Sequence, residues 1–417
     1  MSWTHEGEYW RRPLDCHDKM FRSIAAAGAP FGREHWLMAG WLQLGFPSTI
    51  DSATQEQRLR GAWSALRLRH PDIALTLHED EKRYAPLTDD QALEQWTNVT
   101  FRISTEAGSV DELFSRHLKV APSMHATCYW VPASSEVAIV SSHWRWDGRG
   151  LIMMLHSFMV LLGCSTTPSP TMQAVVGSEA ANLVPTLDAV MGMPVTPKDE
   201  WTVFPKDVTT ALREACRARR LRLTAALHAS VVLETARYYN QEEGGAAKAN
   251  QAKYKSWAAF DLRKYCLPSP DSSSHAPSIR MVAFPLIADP AASWETLASK
   301  FQAYYAQSLV PPDSEAIFVR VPYVEKATAM LATAPPTTEP NLSNLGVLEN
   351  YVKERYGDFE VRNVALAVHM LSPQLYVHAW SWGGEMRVSI CYNEAFYEER
   401  FVQEWLEAVK ANLLKNL

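Results

Sequence analysis

The residues in this chain with the types and spacing for chemistry are His143 and Asp147, four apart, with Gly148 next. A histidine near its ordinary pKa can take a proton from a hydroxyl or amine while that group attacks an acyl carbon. Asp147, past a tight turn, is placed to face away from His143 and pair with a distant cation, so its expected work is to hold the turn. Gly148 lets the backbone bend into the next element without a side-chain clash. Among 417 residues with 13 histidines, a His-x-x-x-Asp arises by chance in about every second such chain. Requiring Gly next lowers that to roughly 0.02. The spacing therefore needs support from the elements around it.

Those elements are legible. Residues 137–140 form a short β-branched run with the character of a buried strand. Residues 151–162 are apolar, too long for an average strand and free of Gly and Pro, which predicts a helix. The motif, with Trp144-Arg145-Trp146 inside it, lies at the junction, where α/β proteins usually place active groups. Residues 124–131 predict a strand pairing with 136–140 as a hairpin. Upstream, 52–69 carries an apolar helical face, opens with a Ser/Thr–Gln pattern like a capping box and ends at His70-Pro71; 73–79 reads as a strand. Residues 164–200, rich in Pro, Ser and Thr, read as a connection. The second half predicts helices at 206–218, 224–238, 293–308 and 394–414. It predicts strands at 255–265, 279–287, 361–370, 374–380 and 386–391, with 341–346 (NLSNLG) turn-rich. This gives an N-terminal subdomain over 1–163 that carries the motif, a connecting segment over 164–200 and a C-terminal subdomain over 201–417.

Composition narrows the function classes. Hydrophobic residues make up 47% and charged residues 21%, with a net charge of −6, an ordinary globular balance with no basic run for a phosphate backbone; nucleic acid is not an expected partner. Six scattered cysteines form no CxxC pair and no zinc-ligand spacing, so no metal is expected and the thiols read as free in a reducing, cytoplasmic compartment. The N-terminus has no signal-peptide pattern and the longest apolar run is too short to span a bilayer, so no membrane association is expected. The arginines of 217–222 could attract phosphates or cap a solvated helix end. Fifteen tryptophans suggest a core with aromatic lining for a bulky apolar ligand.

The His-x-x-x-Asp-Gly segment resembles that of the HxxxDG acyltransferase superfamily. That superfamily takes in the plant-type (BAHD-like) CoA-dependent acyltransferases, the fungal trichothecene-type O-acetyltransferases and the condensation domains of peptide synthetases. Other segments agree in order: AWSALRLRHP at 62–71, the Thr-Ala-Ala-Leu-His-Ala opening at 224–229, Asp261-Leu262-Arg263, Ser343-Asn344-Leu345-Gly346, and Tyr392-Asn393 before the last helix. The chain departs from the plant-type pattern near the C-terminus, where Ser381-Trp382-Gly383-Gly384 stands instead of Asp-Phe-Gly-Trp-Gly. Ser142 stands where condensation domains often have a second histidine, and Trp-Arg-Trp is bulkier than the usual intervening residues.

The resemblance implies an α/β fold of two chloramphenicol-acetyltransferase-like subdomains, with mixed sheets, flanking helices and a tunnel between them. It implies His143 as general base, Asp147 and Gly148 as support, and Arg263 as the ion-pair partner of Asp147. Ser343 or Asn344 would stand near the developing oxyanion. Trp144, Arg145, Trp146, Trp380 and Trp382 are candidates for the substrate pocket. The implied reaction takes an acyl group from acyl-CoA to a hydroxyl or amine of a bulky apolar secondary metabolite, on a monomer. Two alternatives stay open: a condensation-type enzyme drawing on a carrier-protein thioester, and a repurposed tunnel that cyclises or rearranges a metabolite.

Overall fold

A computed structural model describes residues 3–118, 124–164, 176–190, 205–239, 253–267, 272–310, 314, 316–331, 333 and 337–417. In chain order the main elements begin with β1 (Thr4–Glu6), β2 (Tyr9–Pro13), α1 (Cys16–Ala26), β3 (Met38–Gly45) and α2 (Ser52–Arg69). Next come β4 (Thr76–Leu77), β5 (Glu81–Tyr84), α3 (Asp90–Thr100), β6 (Phe101–Ile103), β7 (Thr127–Val131), β8 (Glu136–Ser141) and α4 (Gly148–Gly163). The second half holds α5 (Lys206–Ala218), α6 (Leu223–Tyr239), β9 (Tyr254–Asp261), β10 (Met281–Ala288), α7 (Trp294–Ala306) and α8 (Arg320–Leu331). It closes with β11 (Asn341–Val347), β12 (Arg355–Tyr356), β13 (Phe359–Val368), β14 (Tyr376–Trp382), β15 (Glu385–Cys391) and α9 (Glu399–Asn416). Much of the 164–200 connection lies outside the described residues.

The motif hangs from a six-stranded mixed sheet ordered β12-β13-β3-β8-β7-β6. Every residue of β8 is buried, as is nearly all of β3, because the sheet is covered on both faces. One face packs on α2 and α4, with Trp63, Leu66, Leu151, Leu155 and Phe158 in the core. The other is covered by residues 107–114. A strand buried on both faces loses the alternation of a half-exposed one, which is why β8 reads as a continuous apolar run. The α4 helix is apolar almost all round for the same reason. The hairpin of β7 and β8 pairs antiparallel, Thr127 opposite Val140.

The second half builds a three-stranded sheet, β11-β14-β15, and a β9-β10 ribbon under α5, α6, α7 and α9. The two are stitched by Asn341, whose Oδ1 accepts from Ser256 Oγ (2.7 Å) and from the Trp257 amide (3.1 Å). Strand β13 leaves the second half to pair antiparallel with β3, Ala367 opposite Ala39. The six-stranded sheet therefore draws on both halves of the sequence.

Several local expectations are corrected. The cap of α2 is Asp51, whose carboxylate accepts from the Thr54 amide at 2.8 Å, not the Ser/Thr pattern after it. The predicted strand over 73–79 shrinks to two residues, because Pro71–Ala74 continues as a 3₁₀ turn. The turn-rich NLSNLG is strand β11, parallel to β14. Its Leu342 and Leu345 are buried, and the turn-like residues serve a bulge between Asn344 and Gly346. There Gly346 has φ 76° and Asn344 Oδ1 accepts from its amide at 2.9 Å. Helices α1, α3 and α8 had no counterpart in the sequence reading.

Candidate active site

The turn from Ser142 to Asp147 carries the motif from β8 into α4. Asp147 caps the helix: its Oδ1 accepts from the Gly150 amide (2.7 Å) and its Oδ2 from the Arg280 amide (2.7 Å). Arg263 closes a two-toothed ion pair on the same carboxylate, at 2.8 and 3.1 Å. Its guanidinium also reaches Asp261 (2.9 Å), which in turn pairs with Arg149 (2.8 Å). Asp147 is buried. Burial pushes its pKa up, but the Arg263 charge and these hydrogen bonds outweigh it and hold the carboxyl below its ordinary value. Helix and partner loop meet closely, so that a Cβ on Gly150 would come within 2.4 Å of the Ala276 carbonyl oxygen. Around Gly148 the packing is looser, with Leu345 at 3.2 Å from such a Cβ.

His143 is 8% exposed. Its ring stacks on Phe21 of α1, centroids 4.1 Å apart at 14°, and lies 5.7 Å from Trp36. Burial lowers its pKa to about 4; the carbonyls of His143 and Trp146 and the charge of Asp147 pull the other way. Its Nδ1 is enclosed, with no hydrogen-bond partner of regular geometry among the described residues. At neutral pH the imidazole is therefore uncharged, with a lone pair able to accept a proton.

The aromatic contacts continue across to the second half. Trp36 meets Tyr376 edge-on at 5.3 Å, and Tyr376 lies 4.9 Å from His378 on β14. His378 is 2% exposed; burial, and then the charge of His143, lower its pKa to about 3. Its Nδ1 stands 3.7 Å from Cys391 Sγ. Burial pushes the Tyr376 hydroxyl up to about 12, against the effect of the Ser343 hydroxyl beside it. Trp36 itself takes φ 61°, a left-handed conformation costly for a bulky residue, and its indole N–H is enclosed with no acceptor among the described residues.

The other sequence candidates separate. Ser343 stands opposite His378 in the parallel register, next to Tyr376. Asn344 faces elsewhere, donating to Thr224 Oγ1 at 2.6 Å while bracing the bulge. Trp144, Arg145 and Trp146 turn inward. The Arg145 guanidinium is 1% exposed, lies over the Trp144 ring at 4.3 Å and donates to Ser141 Oγ (2.7 Å) and to the Leu75 and Met124 carbonyls (both 2.8 Å). With its terminal nitrogens engaged on the Ser141 hydroxyl and two backbone carbonyls, it cross-links the turn to two other segments and offers little to a substrate. Trp146 is fully buried. The Trp144 carbonyl accepts from Lys82 (2.9 Å), which is held by Asp18 (2.6 Å). Trp380 and Trp382 donate to the Val364 and Arg362 carbonyls at 3.1 and 3.2 Å, fastening β14 against β13. In the basic run, Arg219 and Arg222 are held on the Asn416 and Tyr305 carbonyls. No group of His, Cys, Asp or Glu among the described residues could hold a metal ion, and no described helix is long and apolar enough to cross a membrane.

Sequence reasoning missed Phe21, Trp36, Tyr376 and His378. The only signal was alternation in Tyr376-Val377-His378, which puts a tyrosine and a histidine on one face of a strand.

This arrangement of sheets has known counterparts. The trichothecene 15-O-acetyltransferase TRI3 of Fusarium sporotrichioides superposes with a TM-score of 0.81 over 99% of this chain and 96% of that one, at 16% identity. The fold is that of two chloramphenicol-acetyltransferase-like subdomains. It is shared with the first condensation domain of the calcium-dependent antibiotic synthetase (TM-score 0.60, 13% identity, 97% and 95% covered). It is shared too with F. sporotrichioides TRI101 complexed with coenzyme A and T-2 (0.56, 11%, 95% and 98%). In sequence, the chain is 25% identical to acetyltransferase pigO of Monascus ruber, covering 100% of this chain and 98% of the relative. It is 27% identical to O-acetyltransferase pigM of the same organism, with 100% and 87% covered. No family model matches.

Proposed function

We propose that the chain is an acyltransferase moving an acyl group, acetyl first among the candidates, from acyl-CoA to a hydroxyl of a small secondary metabolite. Residues 1–163 and 201–417 would act as the two subdomains, the second lending β13 to the first. The observation that carries the reading is the neutral, buried His143 at the meeting of α1, Trp36 and β14, on a turn locked by Asp147 and Arg263. The acetyltransferase names of full-length relatives and the coenzyme A bound to a protein of the same fold agree with it.

In this mechanism the acceptor hydroxyl gives its proton to the imidazole as its oxygen adds to the thioester carbonyl. The tetrahedral intermediate expels the thiolate, which takes the proton back; the products are an ester and free CoA thiol. Ser343, beside Tyr376 and opposite His378, is better placed than Asn344 to donate to the oxyanion. Asp147 moves no proton, since its oxygens already accept four N–H donors. A carrier-protein thioester is the second donor reading, favoured by the condensation-domain likeness. Activity with acetyl-CoA alone separates the two.

The test is thiol release from acetyl-CoA with an acceptor panel, on the wild type and His143→Ala. The expected loss in the variant is about 10²- to 10⁴-fold, the usual worth of a positioned general base. Equal rates would end the proposal.

A further inference from the structure

We propose that the cavity beside the motif turn is an anion-recognition site for one of the two substrates, built on Arg22 and Arg33 with Glu34 in its inner wall; the proposal rests on the acyl-transfer reading. The cavity has a volume of about 370 Å³ and is lined by Arg22, Ala25, Arg33, Glu34, Leu77 and Trp144. Helix α1 and the segment leading to β3 supply the charged residues, and the motif turn itself supplies Trp144.

Two features set these charges apart from an ordinary solvated surface. First, neither Arg22 nor Arg33 has an ion-pair or side-chain hydrogen-bond partner among the described residues, and Glu34 is not within ion-pair reach of either. Both guanidiniums keep their forked donor geometry for a carboxylate or phosphate from outside. Second, Glu34 is half satisfied. Its Oε2 accepts from Ser142 Oγ at 2.9 Å, whereas its Oε1 is enclosed and without a donor. An enclosed carboxylate oxygen with no donor is costly, and a turn of the half-buried Glu34 side chain would bring it out to a hydroxyl or amine of a bound ligand. Leu77 and Ala25 give the carbon skeleton an apolar wall between these polar ends. Ser142 directly precedes His143, so a ligand fixed on Glu34 is fixed relative to the base.

The shared chemistry is an anionic group with an apolar body, and it has two sources: a carboxylate on the acceptor, or the phosphates of coenzyme A. Calorimetric titration of two matched pairs distinguishes them: decanoate against 1-decanol, and acetyl-CoA against acetyl-pantetheine. The proteins are the wild type and the Arg22→Ala/Arg33→Ala double variant. One side chain is half-buried and the other exposed, so the variant should fold, and far-UV circular dichroism checks that it does. In at least one pair the anionic member is expected to bind the wild type at least tenfold more tightly, with the margin shrinking to within twofold in the variant. The pair that responds names the source. Equal binding within both pairs, or margins unchanged by the double substitution, overturns the proposal. Because the readout is binding, a wild type that lacks the preference but keeps thiol release counts against this site alone. A wild-type preference that the double variant loses, with no thiol release from the wild type, counts against the acyl-transfer reading alone.

Discussion

Asp147 and Glu34 are both carboxylates set against the motif turn, and they have opposite surroundings. Asp147 accepts from two guanidinium nitrogens and two backbone amides, and its pKa is lowered. Glu34 accepts from a single hydroxyl, keeps one enclosed oxygen unpaired, and is raised by burial. The first has the environment of a part whose charge the fold depends on. The second has that of a part the fold leaves unfinished. A buried carboxylate is therefore not informative by itself; the number of donors aimed at it separates framework from recognition.

The sharpest way to break that comparison is to remove one side of the buried pair. Arg263→Ala leaves Asp147 charged, buried and short of its main partner, and should cost about 3–5 kcal/mol of stability or prevent folding. Urea unfolding followed by tryptophan fluorescence measures it. A loss under about 1 kcal/mol, the usual worth of a surface pair, would show that the ion pair is incidental. Acid should act next. His143 and His378 have folded pKa values of about 4 and about 3, below the unfolded value near 6.5. The unfolded chain thus binds protons that the folded one refuses, so the stability these groups contribute is present above pH 6.5. It is lost as pH falls from there toward 4, by about 1.4 kcal/mol per pH unit for each histidine. Unfolding midpoints at pH 7 and pH 5 test this: the His378→Asn variant should show a shallower decline than the wild type, and parallel declines would refute it. The smallest effect belongs to Glu34→Gln, which removes a charge that burial already disfavours. Stability should stay within about 0.5 kcal/mol of wild type or rise slightly. A loss comparable to that of Arg263→Ala would erase the distinction between the two carboxylates.

The motif was legible because its elements announce themselves locally: β8 as an apolar run, α4 as a longer one, and His143-x-x-x-Asp147-Gly148 between them. Arg263 was legible only through resemblance, since nothing local links residue 263 to residue 147. What the sequence concealed has a common cause. Tyr376, His378 and Trp36 approach His143 by tertiary placement of β14 and of a left-handed residue, neither of which leaves a periodic trace. Within the Trp144-Arg145-Trp146 insertion the roles divide: Arg145 and Trp146 are turned inward, while Trp144 also lines the cavity beside the turn. The size and charge of the insertion suggested a ligand pocket, but a guanidinium sandwiched by indoles serves equally well as an internal cross-link when carbonyls surround it.

Strand β13 has a consequence for how the chain reaches this state. Residues 359–368 fill a position beside β3, more than 300 residues earlier in the sequence. On the ribosome, a nascent chain that has emerged only as far as residue 163 presents β3 with a bare hydrogen-bonding edge and an incomplete core above it. Closing that edge waits for nearly the whole polypeptide. A gene truncated after the motif helix, though it encodes His143, Asp147 and Gly148, should yield an aggregation-prone product and not a working half-enzyme.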